Sequence, residues 1–595
     1  MSDPLPNKLD RLLVRFLQQE RLAQWLALIA VVLSASCLGL GFYLDDFVGR
    51  YIYSDLADAK RLFELYAGGY GLANGNPADT HWQIEHGWAP WWTYDSLLIR
   101  LFRPLGVVTH WLDFQLWPDQ PWLMHLHSLL WLALLVLAVT SMYRAALGGV
   151  AGGLAALLFA VDHTHGFVVG YICNRHSLIT ALLSVLCLTA HLQARKHAAL
   201  PKQLFAYALY AAALGSGESA AAIAGYLCAH ALCVERTSWP RRLLLIAPYL
   251  AITVVWRALY TRAGFGAIGS GLYIDPARDP LAYVLALLER APVLVLGQFL
   301  APPAELYSVW PATWAHVMWL FACVFCACLA VAFWPLIRRD RVAQFWLLGA
   351  LASLVPAAST YPHNRQLLFT SLGAMGMLAQ LWHLHVVELG NRAPTRLLHF
   401  SQGIGGLVFF THALISPLVL PLSTCSIAVT SPLQAARSAL DADSAGRDVV
   451  FVNAPDYFAV KLVQLSLRIA EQPLPRRFRA LSFGPEHITV HRTAANELEL
   501  EYADGILSTP FMELYRDRRI AMREHEQIAL EGMRIEVLEL TADNRARKAR
   551  FSFESELEAE QLRFFVWKNG RFERYSPPTL GQSHALEPAE LELHF

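Results

Sequence analysis

From Leu22 to Leu44 the chain carries no charged side chain, and it then meets two adjacent carboxylates, Asp45 and Asp46. A helix over that stretch is long enough to cross a hydrocarbon core of about 30 Å. A carboxylate at the bilayer centre is costly, so an aspartate pair ending such a run belongs at an interface or in a water-filled cavity. The plainer alternative is that the two acids merely terminate a helix and face water. The apolar run is too long for the core of a signal peptide, and no small-residue cleavage site precedes the pair, so the segment reads as a retained anchor.

The rest of the chain is of the same kind. Hydrophobic residues make up 55% of the 595 and charged residues 16%, against an apolar share of about 45–50% in soluble domains. Eighteen Trp and 21 Tyr suit a protein with two membrane–water interfaces. The formal net charge of zero points to no nucleic-acid partner. The nine Cys lack metal-ligand spacing; Cys323, Cys326 and Cys328 lie within an apolar run and read as small core residues.

Hydropathy predicts about eleven spanning helices, near 22–44, 122–143, 147–161, 177–194, 203–216, 218–234, 242–260, 313–337, 342–359, 366–386 and 400–422. The stretch 281–300 reads as a re-entrant candidate. One set of connectors collects Arg144, then Arg195, Lys196 and Lys202, then Arg236, Arg241 and Arg242, then Arg338, Arg339 and Arg341, then Arg392 and Arg396. The N-terminal tail adds Lys8, Arg11, Arg15 and Arg21. The positive-inside rule therefore places the N-terminus in the cytosol, and an odd number of spans places the C-terminus outside.

On this topology the loop 45–121, the loop 261–312 and everything after about 423 share the non-cytosolic side. The first loop carries the aromatic run Trp88–Tyr94 and is expected to form interface-lying helices. From Asp441 onward charge rises and long apolar runs vanish, so a soluble domain begins. Asp448–Asn453 reads as a buried strand and Tyr457–Ala470 as a helix, and 497–502 and 534–540 alternate as strands do. Arg563–Tyr575 reads as a hairpin turning at Asn569-Gly570. The fold expected is thus a multi-pass all-α membrane domain over 1–422, followed by a soluble α+β, strand-rich domain over 423–595 whose role is accessory or binding.

A set of short pieces appears in order behind the acid pair. They are Arg103-Pro104-Leu105, Leu112-Asp113, Leu116-Trp117, Pro121 and His125-Leu126; Leu158–Val161, His165, Val169, Ile172, Arg175 and Leu178; Leu214–Ala220; and Asn364-Arg365 with Leu367 and Ser371-Leu372-Gly373. In this order they resemble the GT-C superfamily of integral-membrane glycosyltransferases, and within it the O-mannosyltransferase-like branch that usually carries tetratricopeptide repeats. The likeness covers roughly residues 22–390. This chain departs from that branch at Asp162–Phe167, which lacks the glutamate of His-Pro-x-His-x-Glu, and at Ser216-Gly217-Glu218, which lacks the lysine of Ser-Lys-Glu. The strand-rich domain stands where the repeats would be.

The resemblance implies an inverting glycosyltransferase of the bacterial inner membrane, with its C-terminal domain in the periplasm. Its donor would be a sugar on a polyprenyl-phosphate carrier, and its acceptor a protein, glycan or lipid at the outer face, with membrane lipids around it. An acceptor hydroxyl needs a base, and Asp45 or Asp46 is the candidate. The resemblance fixes no cofactor, and a divalent ion held by the same pair is the candidate. Arg175 and Arg365, with His165 and Glu218, are the candidates at the donor phosphate, since guanidinium pairs with phosphate oxygens bidentately. Each has a plainer reading: snorkelling for the arginines, an interfacial ring for His165, and a structural ion pair for Glu218. Two other classes stay open, a transporter or flippase for a lipid-linked substrate and an inactive scaffold with a binding domain.

Overall fold

The computed structural model describes residues 8–54, 59–389, 395–426, 440 and 442–589. Arg392 and Asp441, used above, lie outside the described residues. The chain divides into two compact units. The first comprises Met1–Gly41, Phe102–Ala263 and Asp279–Ile427; the second comprises Phe42–Leu101, Gly264–Arg278 and Ala428–Phe595.

The first unit is helical, and its helices make this an integral membrane protein. Among the described residues seven are long and apolar enough to span: Leu22–Gly39, Pro121–Leu147, Ile172–His197, Trp239–Arg262, Pro280–Phe299, Ala312–Ile337 and Arg396–Thr424. An eighth span results if Gly149–Ala160 and His163–Gly170, bent by 41°, are one. The expected count of eleven is therefore not reached on length. The helices Leu200–Leu214, Ala221–Cys233, Arg341–Ala357 and Leu368–His383 form where apolar runs predict them but have only 15, 13, 17 and 16 residues. Conversely, the stretch read as re-entrant is a 20-residue helix of spanning length.

Packing in this unit uses small residues to bring helix backbones together, as is usual where lipid removes the hydrophobic drive between helices. A Cβ added at Gly376 would lie 2.7 Å from the Trp346 ring, so Leu368–His383 meets Arg341–Ala357 only because a glycine stands there. The buried tyrosines keep their hydroxyls bonded: Tyr226 donates to the Phe369 carbonyl at 2.6 Å and Tyr143 to the Leu372 carbonyl. Such bonds matter more where no water can replace them.

The second unit holds three sheets. The C-terminal part contributes a four-stranded sheet in the order Arg571–Tyr575, Leu562–Lys568, Asp448–Phe451, Arg477–Ala480. Asp448–Phe451 lies parallel to both neighbours, with the helix Tyr457–Ile469 as crossover to Arg477–Ala480. A six-stranded antiparallel sheet takes the period-2 segments; in Met533–Leu540, Met533, Ile535 and Val537 are buried and Arg534 is exposed. The predicted hairpin turns with Asn569 at φ 51° and Gly570 at φ 74°, the two left-handed residues that a type I′ turn requires.

Residues 42–101 belong to this same unit as helices Asp45–Ile52, Ala59–Leu65 and Pro77–Glu85 and two short strands. The aromatic run is not an interfacial belt: Trp88, Trp91 and Trp92 are buried within the unit. Trp91 Nε1 donates to the Leu481 carbonyl at 3.1 Å, the Tyr94 amide donates to the Tyr515 carbonyl at 3.0 Å, and Arg479 pairs with Glu85 at 2.6 Å. The rings serve as core, and the Trp91 N–H finds a carbonyl there.

Candidate functional site

The acid pair sits at the start of the helix Asp45–Ile52, where the N-terminal dipole favours negative charge. The residue before it, Leu44, is held at φ 36°, ψ −101°, outside the regions open to a side-chain-bearing residue at low cost. The turn that holds it is closed twice: the Asp46 amide donates to the Tyr43 carbonyl at 2.8 Å, and the Tyr43 amide donates to Asp46 Oδ2 at 3.0 Å. This separates two neighbours that the sequence ranks equally. Asp46 is 2% exposed and fastens the turn, whereas Asp45 is exposed to solvent. Among the described residues no group of three or more His, Cys, Asp or Glu side chains is arranged to hold a metal ion. Asp46 Oδ2 already accepts a backbone N–H, and no step is assigned to a metal ion.

The four candidates for the donor phosphate belong to the first unit and fall into separate networks. Arg175 begins the helix Arg175–His197 and is fully buried. Its guanidinium pairs with Asp113, and donates from Nε to Ser128 Oγ at 3.1 Å and from Nη2 to the Met124 carbonyl at 2.7 Å. Asp113 is also bonded to His127 Nδ1 at 2.8 Å. The fork of Arg175, expected at a phosphate, is occupied inside the unit, as a buried guanidinium cannot shed its charge and must be paired.

Glu218 lies at the break between Leu200–Leu214 and Ala221–Cys233, where Ser216-Gly217 interrupts the apolar run. Its Oε2 takes Arg103 Nε at 2.9 Å, and its Oε1 accepts from the Phe102 amide at 3.0 Å and the Tyr260 hydroxyl at 3.2 Å. It ties the approach to the helix Pro104–Leu116 onto the break, in the manner of the plainer reading of a structural ion pair.

Arg365, in the turn Asn364–Gln366, is partly exposed, with Cζ 5.2 Å from the Tyr361 ring centre. It and Arg103 both act electrostatically on buried His176, as does His110. Arg103, His176 and Arg365 thus form one basic neighbourhood, which sequence reading split because its members are more than seventy residues apart in each step. Arg103 opens the first of the ordered pieces and His176 follows Arg175, but nothing local marks them as partners.

His165 is buried in a fourth network centred on Asp162, the residue at which the chain departs from the His-Pro-x-His-x-Glu pattern. Asp162 Oδ2 accepts from Ser371 Oγ at 2.6 Å and Gln298 Nε2 at 2.9 Å, and Oδ1 accepts from the Thr164 amide at 3.0 Å. His165 Nε2 is 3.9 Å from Oδ2, His163 Nδ1 is 3.7 Å from Oδ1, and His412 joins from the π-helical turn Thr411–Ile415. Buried imidazole nitrogens of His163, His165 and His412 lack a hydrogen-bond partner among the described residues. An acid in such a setting inside a membrane unit marks a functional candidate.

No protein-family model and no curated protein matches the chain. Among solved structures it is similar to the oligosaccharyltransferase of Archaeoglobus fulgidus tethered with an acceptor peptide containing the NVT sequon, at 13% identity and TM-score 0.38, covering 78% of this chain and 64% of that one. It is also similar to ArnT from Cupriavidus metallidurans in the apo state, at 13% identity and TM-score 0.38, covering 76% and 88%. ArnT bound to undecaprenyl phosphate gives 14% identity and TM-score 0.36, covering 77% and 89%. The chain spans less than two thirds of the archaeal enzyme's length. At such TM-scores the likeness stops at similarity, and the functional reading rests on this chain's own residues.

Proposed function

We propose that this chain is a membrane glycosyltransferase that moves a sugar from a polyprenyl-phosphate carrier to an acceptor hydroxyl at the non-cytosolic face, with Asp45 as general base. The observation that carries the reading is the division of labour in the acid pair: Asp46 fastens a strained turn and leaves Asp45 exposed directly after an apolar span. A carboxylate held there suits an acceptor that comes from water.

In this reaction Asp45 takes the acceptor proton as the hydroxyl oxygen bonds to the anomeric carbon. The anomeric C–O bond to phosphate breaks, its electron pair leaves with the polyprenyl phosphate, and the configuration inverts. Charge grows on the departing phosphate, and a guanidinium is the type of group suited to it. Arg175 and Glu218 support helices of the first unit, and His165 stands in the Asp162 network. The acceptor is a protein, glycan or lipid. Incubating purified protein with a polyprenyl-phosphate sugar and an acceptor mixture should release polyprenyl phosphate and give a glycoside of inverted anomeric configuration; hydrolysis or retention would contradict the mechanism.

The Asp162–imidazole network favours one other reading, a transporter of lipid-linked substrate in which these groups exchange protons. Under that reading Asp162→Asn abolishes transbilayer movement of a labelled carrier in proteoliposomes, while Asp45→Asn leaves it intact.

A further inference from the structure

Four helices of the first unit, Arg175–His197, Leu200–Leu214, Ala221–Cys233 and Trp239–Arg262, are tied to one another by a chain of buried side chains. Gln203 Nε2 donates to the Tyr249 hydroxyl at 2.9 Å, Tyr249 meets His191 Nδ1 at 3.1 Å, and His191 Nε2 meets His230 Nδ1 at 3.3 Å. The two connectors beyond this chain are joined as well, since Arg195 Nε donates to Glu235 Oε2 at 2.8 Å. These helix ends therefore present one surface rather than separate tips.

That surface is strongly basic. Residues 193–203 and 232–242 carry Arg195, Lys196, Lys202, Arg236, Arg241 and Arg242 against the single acid Glu235, and Arg195 occupies that acid. Arg242 is also committed: it donates to the Thr237 and Leu232 carbonyls and lies 5.0 Å from the Trp239 ring centre. Lys196, Lys202, Arg236 and Arg241 are exposed, and among the described residues none of them pairs with a carboxylate. Four like charges on two joined connectors repel one another, a cost that an anion facing them would offset.

The helix that leaves this surface, Trp239–Arg262, is the least buried of the seven spans, with 17% of its apolar window covered by the rest of the unit. Leu243, Leu244, Leu250, Val254 and Leu259 stand exposed along it, directly after Arg241. Trp239, 60% exposed, stands at its start, an amphipathic ring of the kind that settles at headgroup level. Exposed cations, then an indole, then an open aliphatic face follow one another along this edge.

We infer that this edge is a binding site for an anionic phospholipid, with the phosphate against Arg236 and Arg241 and the acyl chains along Trp239–Arg262. Lys196 and Lys202 extend the positive field across the joined connectors. The expected topology turns these connectors to the cytosolic leaflet, which carries a negative surface potential. The four cations belong to none of the networks described above, so lipid binding stands or falls apart from sugar transfer.

The test is native mass spectrometry of the full-length protein, released from neutral detergent that contains either dioleoyl phosphatidylglycerol or dioleoyl phosphatidylcholine. The wild-type protein should retain phosphatidylglycerol in preference to phosphatidylcholine. Arg236→Gln and Arg241→Gln should each lower that retention about fivefold, while Arg262→Gln, at the opposite end of the same helix, leaves it unchanged. Lys196→Gln, with the same expected direction, serves if an arginine variant misfolds. Equal retention of the two lipids, or an equal loss in Arg262→Gln, overturns the site. Displacement by soluble glycerol 1-phosphate would make this a phosphate site and overturn the lipid assignment. A dimer mass that excludes lipid would give the face to a second copy of the chain and overturn it as well.

Discussion

Two buried cations show how differently the two units treat charge. In the helical unit Arg175 is fully buried and meets a carboxylate, a hydroxyl and a carbonyl. In the strand-rich unit Lys461 is buried among four aromatic rings, and the charge that acts on it is that of the exposed Asp45. A guanidinium keeps its proton at any accessible pH and must be paired, whereas an amine can lose its proton and so tolerates a sparser setting. The first cation locks a structure; the second can be adjusted.

Breaking the locked pair should cost most. Asp113→Ala leaves the Arg175 charge buried without its partner, and the loss is expected near 3–5 kcal/mol. The double replacement Arg175→Met with Asp113→Leu should lose clearly less, since no orphan charge remains. Heating the detergent-purified protein and measuring the fraction that stays monodisperse compares the two; equal losses would mean that the pair is not what the helices depend on.

The adjustable cation should show itself in pH dependence. The unfolded chain holds the Lys461 proton up to the ordinary lysine value of 10.5, and the folded chain gives it up near 7. Between those values the unfolded state binds more protons, so stability rises with pH, by at most about 1.4 kcal/mol per pH unit, and this contribution is lost as pH falls through 7. Lys461→Met should remove that rise and be the more stable protein at pH 7. Unfolding curves of both proteins from pH 7 to 10 decide it; parallel curves would contradict the burial seen here.

A smaller effect separates the two arginines named from sequence. Arg365→Lys should weaken donor use about tenfold, the size of one charge-assisted hydrogen bond, with folding unchanged. Arg175→Lys should lower folded yield and leave the KM for donor alone among molecules that fold. The reverse pattern would return Arg175 to the phosphate.

What was legible in the sequence was local. Asp448–Phe451, Tyr457–Ile469 and the turn at Asn569-Gly570 follow from periodicity and turn chemistry within a few residues. Apolar content located the helices, but not whether each is long enough to span; Ser216-Gly217 cuts one run into helices of 15 and 13 residues. Pairings across the chain were hidden. Nothing near Arg175 announces Asp113, and nothing in Trp88–Tyr94 says that these rings pack with residues after 480. The difference between Asp45 and Asp46 depends on a backbone turn at Leu44 that side-chain identities do not encode.

The central claim is that Asp45, and not its neighbour, takes the acceptor proton. Purified Asp45→Asn and Asp46→Asn proteins should be compared for single-turnover transfer from a polyprenyl-phosphate sugar, each normalised to its folded fraction. Asp45→Asn should fold normally and lose about 10²–10⁴ in rate. Asp46→Asn keeps an acceptor for the Tyr43 amide and should lose stability more than rate. Wild-type turnover in Asp45→Asn, at normal stability, would contradict the account.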